Sequence, residues 1–329
     1  MMQPPRFWHQ PAGVLAWLLS PLGALYAYGT ARRLARGKPV KLEVPVVCVG
    51  NINAGGTGKT PSVIALQEHL AAKGHTPHVV SRGYGGSLEG PVRVEEARHG
   101  PDEVGDEPLL LAAFGPAWVA KDRLKGARAA VEAGADIIIL DDGFQNPALV
   151  QDVAVVVVDA ARGFGNGFTL PAGPLREPVS RGLARADIVL SIGSDTLQNA
   201  FSARWGKEIS CLHLSGHLEP LQTGMEWTGA RVLAFAGIGH PEKFFATLRK
   251  LGAEVVKADA LEDHQPLSDA LLARMEAEAV RYNAQLVTTE KDATRLPAAF
   301  RPKVLTVPVR LRLEDWAPLD ALIEAAFDA

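Results

Sequence analysis

The chain has 329 residues, more than one small domain requires and about the length of two α/β lobes. Its 34 Lys+Arg against 37 Asp+Glu give a net charge of −3, which excludes a nucleic-acid protein working by bulk electrostatics, and 47% hydrophobic against 22% charged residues exclude a disordered chain. Two distant cysteines, Cys48 and Cys211, supply neither a disulfide framework nor a Cys-rich zinc site, so the composition is compatible with a reducing compartment.

The charge balance conceals an asymmetry. Residues 1–45 hold six basic side chains (Arg6, Arg32, Arg33, Arg36, Lys38 and Lys41) against Glu43 alone, which leaves the rest of the chain acidic. From Gln10 to Ala31 no residue is formally charged. As a helix this run extends roughly 33 Å, about one hydrocarbon core. Trp8, Trp17, Tyr26 and Tyr28 are aromatics of the kind that sit at membrane interfaces, and the basic cluster follows at once, as anionic headgroups favour. Pro11, Gly13, Pro21, Gly23 and Gly29 interrupt the run, and its basic residues come after the apolar stretch, the reverse of a secretory signal. We read residues 1–43 as a membrane-associated helical segment, spanning or interfacial, in preference to a hairpin packed on the protein's own core.

Beyond Pro45 apolar runs alternate with helical stretches. Strands are expected at 44–49, 78–81, 136–140, 153–158 and 187–192, with a helix over 59–72 and a broken helical stretch over 108–133. Val/Ile runs without alternation indicate strands covered on both faces, hence a mostly parallel sheet flanked by helices. Periodicity weakens over 195–230. It then restarts with strands at 231–237, 285–288 and 303–307 and helices over 241–251 and 269–282. This organisation predicts an α/β core over 44–215 and a smaller α/β lobe over 216–329.

Between the first strand and first helix of the core lies Gly50-Asn51-Ile52-Asn53-Ala54-Gly55-Gly56-Thr57-Gly58-Lys59-Thr60. Glycines let such a backbone curl its N–H groups toward a polyphosphate, a lysine reaches the β/γ oxygens, and a Thr hydroxyl ligates Mg²⁺. Residues 53–60 are therefore the expected phosphate site of a P-loop NTPase-like fold, although Asn53 stands where the strict pattern has glycine. Partition-type ATPases resemble this stretch but carry a lysine where this chain has Ala54, and a guanine-specific Asn/Thr-Lys-x-Asp reading of Thr289-Glu290-Lys291-Asp292 has its lysine one place late. A membrane-recruited nucleotide switch of that type is the alternative reading.

The strand at 136–140 emerges in Asp141-Asp142, the Walker B arrangement that holds Mg²⁺ opposite a phosphate loop. From pattern alone Asp106, in Gly105-Asp106-Glu107-Pro108, reads as a helix N-cap and His264 as a loop histidine.

Several segments, in order and over nearly the whole chain, resemble the tetraacyldisaccharide 4′-kinase family of Gram-negative bacteria. They are Val49-Gly50-Asn51 through Thr60-Pro61, Ser81-Arg82-Gly83-Tyr84-Gly85-Gly86, Gly105-Asp106-Glu107-Pro108, Asp141-Asp142-Gly143-Phe144-Gln145, Pro174-Leu175-Arg176-Glu177-Pro178, Arg185-Ala186-Asp187, Gly237-Ile238-Gly239, Asp263-His264 and Thr289-Glu290-Lys291-Asp292-Ala293. Asn146 departs from the pattern, which has histidine there. The resemblance implies transfer of the γ-phosphate of ATP to the 4′-hydroxyl of an acylated glucosamine disaccharide 1-phosphate, at the cytoplasmic face of the inner membrane. It implies Lys59 and Thr60 on the phosphates and Mg²⁺, with Asp141, Asp142 and Glu177 as the acidic metal environment. Asp106 becomes the base with His264 as its partner, and Arg82, Tyr84 and Arg176 become candidate substrate contacts. The partners so implied are the glycolipid and the bilayer, with no nucleic acid and no obligate protein partner.

Overall fold

The apolar runs of the sequence form the middle of one large sheet. The computed structural model describes residues 5–262 and 265–328. Eight strands come first: β1 (Val46–Gly50), β2 (Pro77–Ser81), β3 (Val92–Arg93), β4 (Ala117–Val119), β5 (Ile137–Asp141), β6 (Val153–Asp159), β7 (Ile188–Ile192) and β8 (Leu212–Pro220). A second, four-stranded sheet follows, built from β9 (Arg231–Ala236), β10 (Glu254–Ala260), β11 (Gln285–Thr289) and β12 (Val304–Val307) in the order β10-β9-β11-β12. The chain then returns with β13 (Val309–Leu313) to complete a nine-stranded sheet ordered β13-β8-β7-β6-β1-β5-β2-β4-β3. Only the edge pairs β13/β8 and β3/β4 are antiparallel.

Helices cover both faces. They are α1 (Val14–Ala35), α2 (Lys59–Ala72), α3 (Pro101–Val104), α4 (Asp106–Ala112), α5 (Arg123–Glu132), α6 (Val179–Leu183), α7 (Asp195–Trp205), α8 (Pro241–Lys250), α9 (Asp269–Arg281), α10 (Glu290–Ala293) and α11 (Ala317–Phe327). On β1 the side chains alternate between two cores. Val47 and Val49 pack with Val63, Leu66 and Leu70 of α2, while Val46 and Cys48 face Ala127 and Ala130 of α5. Each fully buried Val or Ile here contributes about 1.5–3 kcal/mol.

Two expectations are corrected. The helical stretch over 108–133 contains β4, a three-residue strand too short to show a period and set off by Gly115 and Pro116. The limit at 215/216 falls inside β8, and β13 with α11 belongs to the large lobe, where Leu311, Leu319 and Ile323 join the core beside α2. The smaller lobe is thus an insertion between β8 and β13.

The apolar N-terminal run forms one helix over Val14–Ala35, not a hairpin. Pro21 has no N–H for the Trp17 carbonyl, which instead accepts from the Ser20 hydroxyl at 2.8 Å. A stripe of small residues, Ala16, Gly23, Ala27 and Thr30, faces the body, while Val14, Trp17, Leu18, Leu25 and Tyr28 are exposed. The stripe sits on the loop between β6 and α6. There Thr169 Oγ1 donates to the Gly23 carbonyl at 2.7 Å, the Trp8 indole donates to the Pro171 carbonyl at 3.0 Å, and Trp17 meets Phe168 edge-on.

A Cβ at Gly23 would lie 2.9 Å from the Thr169 carbonyl oxygen, whereas one at Gly29 would meet nothing within 4 Å. Gly23→Leu should therefore destabilise the protein by about 1–3 kcal/mol in a detergent thermal melt, and Gly29→Leu far less. Equal melting temperatures for the two variants would contradict the docking of α1 on this loop.

Candidate active site

The phosphate loop begins where β1 ends. Gly50 must be glycine, since a Cβ there would lie 2.5 Å from Cβ of Phe144 in the turn after β5. Gly55 and Gly58 take left-handed φ values of 114° and 99°, which lets the backbone turn back on itself before α2 starts at Lys59. The buried Asn51 side chain braces the curl from within, donating to Thr57 Oγ1 at 3.0 Å. Gly55 and Gly56 stay exposed, and the Lys59 ammonium stands 3.7 Å from Asp142 Oδ1.

Two residues expected on the phosphates face elsewhere. The Asn53 side chain donates to the Gly163 carbonyl at 3.0 Å, and the Ala54 N–H donates to the Pro174 carbonyl at 2.7 Å. Both tie the loop to the segment that carries α1. The departure at Asn53 is thereby explained: an amide anchors the loop where glycine offers no side chain. Ala54 occupies the position of the partition-type lysine, and its backbone is spent on the same anchor.

The carboxylate pair lies beside the loop because β5 pairs with β1, with Asp141 opposite Val49. Asp141 is buried and accepts from the Ser81 hydroxyl at 2.9 Å, while the Arg123 guanidinium donates to its carbonyl at 2.8 Å. Burial, then the charges of Glu107 and Asp142, push the Asp141 carboxyl up to about 6 against the pull of Lys59. At Asp142, in a left-handed turn with φ 51°, burial works in the same direction. Lys59 and Arg176 outweigh it and hold that carboxyl below its usual value, with Arg176 donating to Oδ1 at 2.9 Å.

Arg176 thus stands within the site and also donates to Gln145 Oε1 at 3.2 Å. Glu177 does not join the acidic pair. Both of its oxygens accept from Arg185 at 2.7 Å and one accepts from Gln145 at 3.0 Å, so the buried carboxylate braces the turn after β5. Expected among the metal's neighbours, Glu177 is paired here with Arg185.

Asp106 opens α4, and Gly105, with φ 89°, takes the cap position that the sequence reading assigned to the aspartate. The buried Asp106 carboxylate accepts the Glu107 N–H at 3.0 Å. Arg82 and Tyr84 are exposed on the turn after β2, which packs so closely on the start of α4 that a Cβ at Gly105 would lie 2.6 Å from the Tyr84 carbonyl oxygen. His264 lies outside the described residues. Next to it in sequence, the Gln265 carbonyl accepts from Arg295, whose Nε stands 3.8 Å from Asp106 Oδ2.

The smaller lobe meets the site on two sides. Lys243 of α8 pairs with Asp159 at the end of β6 at 2.7 Å, and Lys291 of α10 pairs with Glu107 at 3.0 Å. Between them a Cβ at Gly239 would lie 3.6 Å from the nitrogen of Gly56. Lys291 was reached as a failed guanine signature and within a family-like segment, with no contact assigned to it, and Ser81, Asn51 and Arg295 carried no signal of their contacts. The arrangement combines a curled glycine backbone, a lysine at a helix start and an acidic pair. It is suited to holding a nucleoside triphosphate and a hard divalent cation.

A family model described as tetraacyldisaccharide-1-P 4′-kinase matches residues 15–328. Relatives named tetraacyldisaccharide 4′-kinase from Jannaschia sp. (strain CCS1) and Dinoroseobacter shibae are 62% and 61% identical, the matches covering 98% and 99% of this chain and 98% of each relative. The crystal structure of an "apo" form of LpxK from Aquifex aeolicus in complex with ATP is similar, with a TM-score of 0.74, 27% identity, and coverage of 95% of this chain and 100% of that one. By the extent of these matches and the shared two-lobed architecture, the chain belongs to the tetraacyldisaccharide 4′-kinase family.

Proposed function

We propose that this protein transfers the γ-phosphate of ATP to the 4′-hydroxyl of tetraacyldisaccharide 1-phosphate, a step of lipid A biosynthesis, at the cytoplasmic face of the bacterial inner membrane. The observation that supports the reading is the buried Asp106 at a helix start, next to Glu107, whose charge acts on Asp141, in a chain of this family.

The N–H groups of residues 55–60 and the Lys59 ammonium hold the triphosphate, and the lysine leaves its resting contact with Asp142 to do so. Asp142 and Thr60 are the residues that would hold Mg²⁺, with Asp141 behind them. The fit rests on the donor set, two adjacent carboxylates at the end of β5 with Lys59 at the start of α2 standing 3.7 Å from Asp142 and Thr60 next to it in that helix. When bound, the ion neutralises charge on the β and γ oxygens. Asp106 accepts the proton of the sugar hydroxyl, with His264 sharing or orienting it. Phosphoryl transfer with a loose transition state asks for that acceptance only late, so an ordinary carboxylate suffices. Arg176, Arg82 and Tyr84 supply contacts to phosphate or sugar.

The exposed apolar face of α1 supports attachment to the bilayer that holds the acyl chains. By length and composition the helix would also cross a membrane. With its small-residue stripe docked on the 163–175 loop, we place it in the interface with Trp17, Leu18 and Leu25 toward lipid.

Three outcomes test this reading. Purified protein in detergent with γ-labelled ATP, Mg²⁺ and tetraacyldisaccharide 1-phosphate should label the glycolipid, and chelation of Mg²⁺ should abolish labelling; ATP hydrolysis without labelled lipid would instead return the nucleotide switch. Asp106→Asn should lower kcat by ~10²–10⁴-fold with KM for ATP nearly unchanged, and Lys59→Ala by ~10²–10³-fold. Normal turnover in either variant removes that residue from its assigned role. Leu18→Glu combined with Leu25→Glu should reduce recovery on anionic vesicles while kcat on detergent-dispersed substrate is retained, and unchanged vesicle binding would contradict the assigned face of α1.

A further inference from the structure

Arg295 follows α10 in the smaller lobe, and its side chain is only 9% exposed. Its guanidinium is held on three sides by that lobe. Nη1 donates to the Gln265 carbonyl at 2.9 Å, Nη2 donates to the Gly237 carbonyl at 3.1 Å, and Asp292 pairs with it directly. Asp292 is itself fixed, both oxygens accepting the Gly237 N–H at 3.1 Å. Helix α10 is anchored further by Arg310, which donates to Glu290 at 2.8 Å.

One nitrogen of this guanidinium is left over. Among the described residues Nε has no hydrogen-bond acceptor, and at 3.8 Å from it stands Oδ2 of Asp106, 4% exposed, on the other lobe. That separation is too long for a hydrogen bond, and an approach of about 0.8 Å would make it a charge-assisted one. The neighbouring contact between Lys291 and Glu107 is already closed at 3.0 Å. Two cations of the smaller lobe therefore address two consecutive carboxylates at the start of α4, and a small settling of the lobe would complete the second contact.

We propose that Arg295 is a positioning residue for phosphoryl transfer: its Nε–H orients the Asp106 carboxylate toward the sugar hydroxyl and makes that alignment depend on the seating of the smaller lobe. The proposal rests on the reading of Asp106 as the base. The rival account is structural, with Arg295 serving only to fold its own lobe through Asp292 and Gly237.

A double-mutant cycle on the full-length protein, read as steady-state kinetics with glycolipid and ATP, separates the two. Arg295→Gln should lower kcat by ~10–100-fold with KM for ATP within about threefold, and Arg295→Lys, which keeps a charge, should recover part of that loss. In an Asp106→Asn background Arg295→Gln should change kcat by less than about threefold. Equal fold losses in both backgrounds would overturn the proposal, since the arginine would then act independently of Asp106. If Arg295→Gln fails to fold, Arg295→Lys is carried through the same cycle with the same criterion. Wild-type turnover in Asp106→Asn alone would overturn the base reading and this proposal with it, whereas a slow Asp106→Asn with independent Arg295 losses would overturn this proposal alone.

Discussion

The phosphate loop is hung between two supports, and the rest of the molecule is arranged around that suspension. From below it is the continuation of β1, the strand flanked by β5 and β6 in the middle of the large sheet. From the side it is pulled by two hydrogen bonds, from Asn53 and Ala54, onto the segment between β6 and α6. A glycine-rich curl left alone loses more conformational freedom on ordering than any other backbone. Fastening it at positions 53 and 54 leaves Gly55 to Thr60 as the ordered stretch that a polyphosphate would meet. The same segment carries the stripe of α1 through Thr169 and the turn ahead of that helix through Pro171, so the nucleotide end of the site and the apolar helix share one piece of backbone.

Charge in the site is balanced by position. Asp141 and Asp142 are adjacent carboxylates whose environments push them apart: the first is raised by burial and by the charges of Glu107 and Asp142, the second is held low by Lys59 and Arg176. Glu177, close in sequence to Arg176, is removed from this balance by Arg185 and spent on rigidity. The difference between a carboxylate that holds a turn and one that faces a cleft lies in which cation reaches it first.

The sequence made the five middle strands of the large sheet and the loop legible because their signals are local. Continuous Val/Ile runs mark strands buried on both faces, and Gly58-Lys59-Thr60 after such a run marks the curl. What stayed hidden depends on residues far apart in the chain. The roles of Asn53 and Ala54 are set by Gly163 and Pro174, and the surroundings of Asp106 by Arg295. No spacing rule registers a hydrogen bond across a hundred residues. β10, at the edge of the smaller sheet, and β13 escaped for a related reason. Both mix polar residues into the strand, as in Val309-Arg310-Leu311-Arg312-Leu313, so neither shows the continuous apolar run that marked the buried strands.

The smaller lobe leaves the large sheet at β8 and comes back at β13, its two connections joined where the Leu221 N–H donates to the Pro308 carbonyl at 2.9 Å. That placement has a consequence for the order of assembly. The last edge strand and α11, which covers α2 behind the phosphate loop, are synthesised after the whole insertion. Closing roughly ninety residues of free chain between β8 and β13 would carry a substantial entropic penalty, which falls if the insertion has already collapsed and brought its own ends together. An insertion that folds first would act as a short staple for the larger unit, bringing β13 and α11 back to α2 over a closed rather than an open loop.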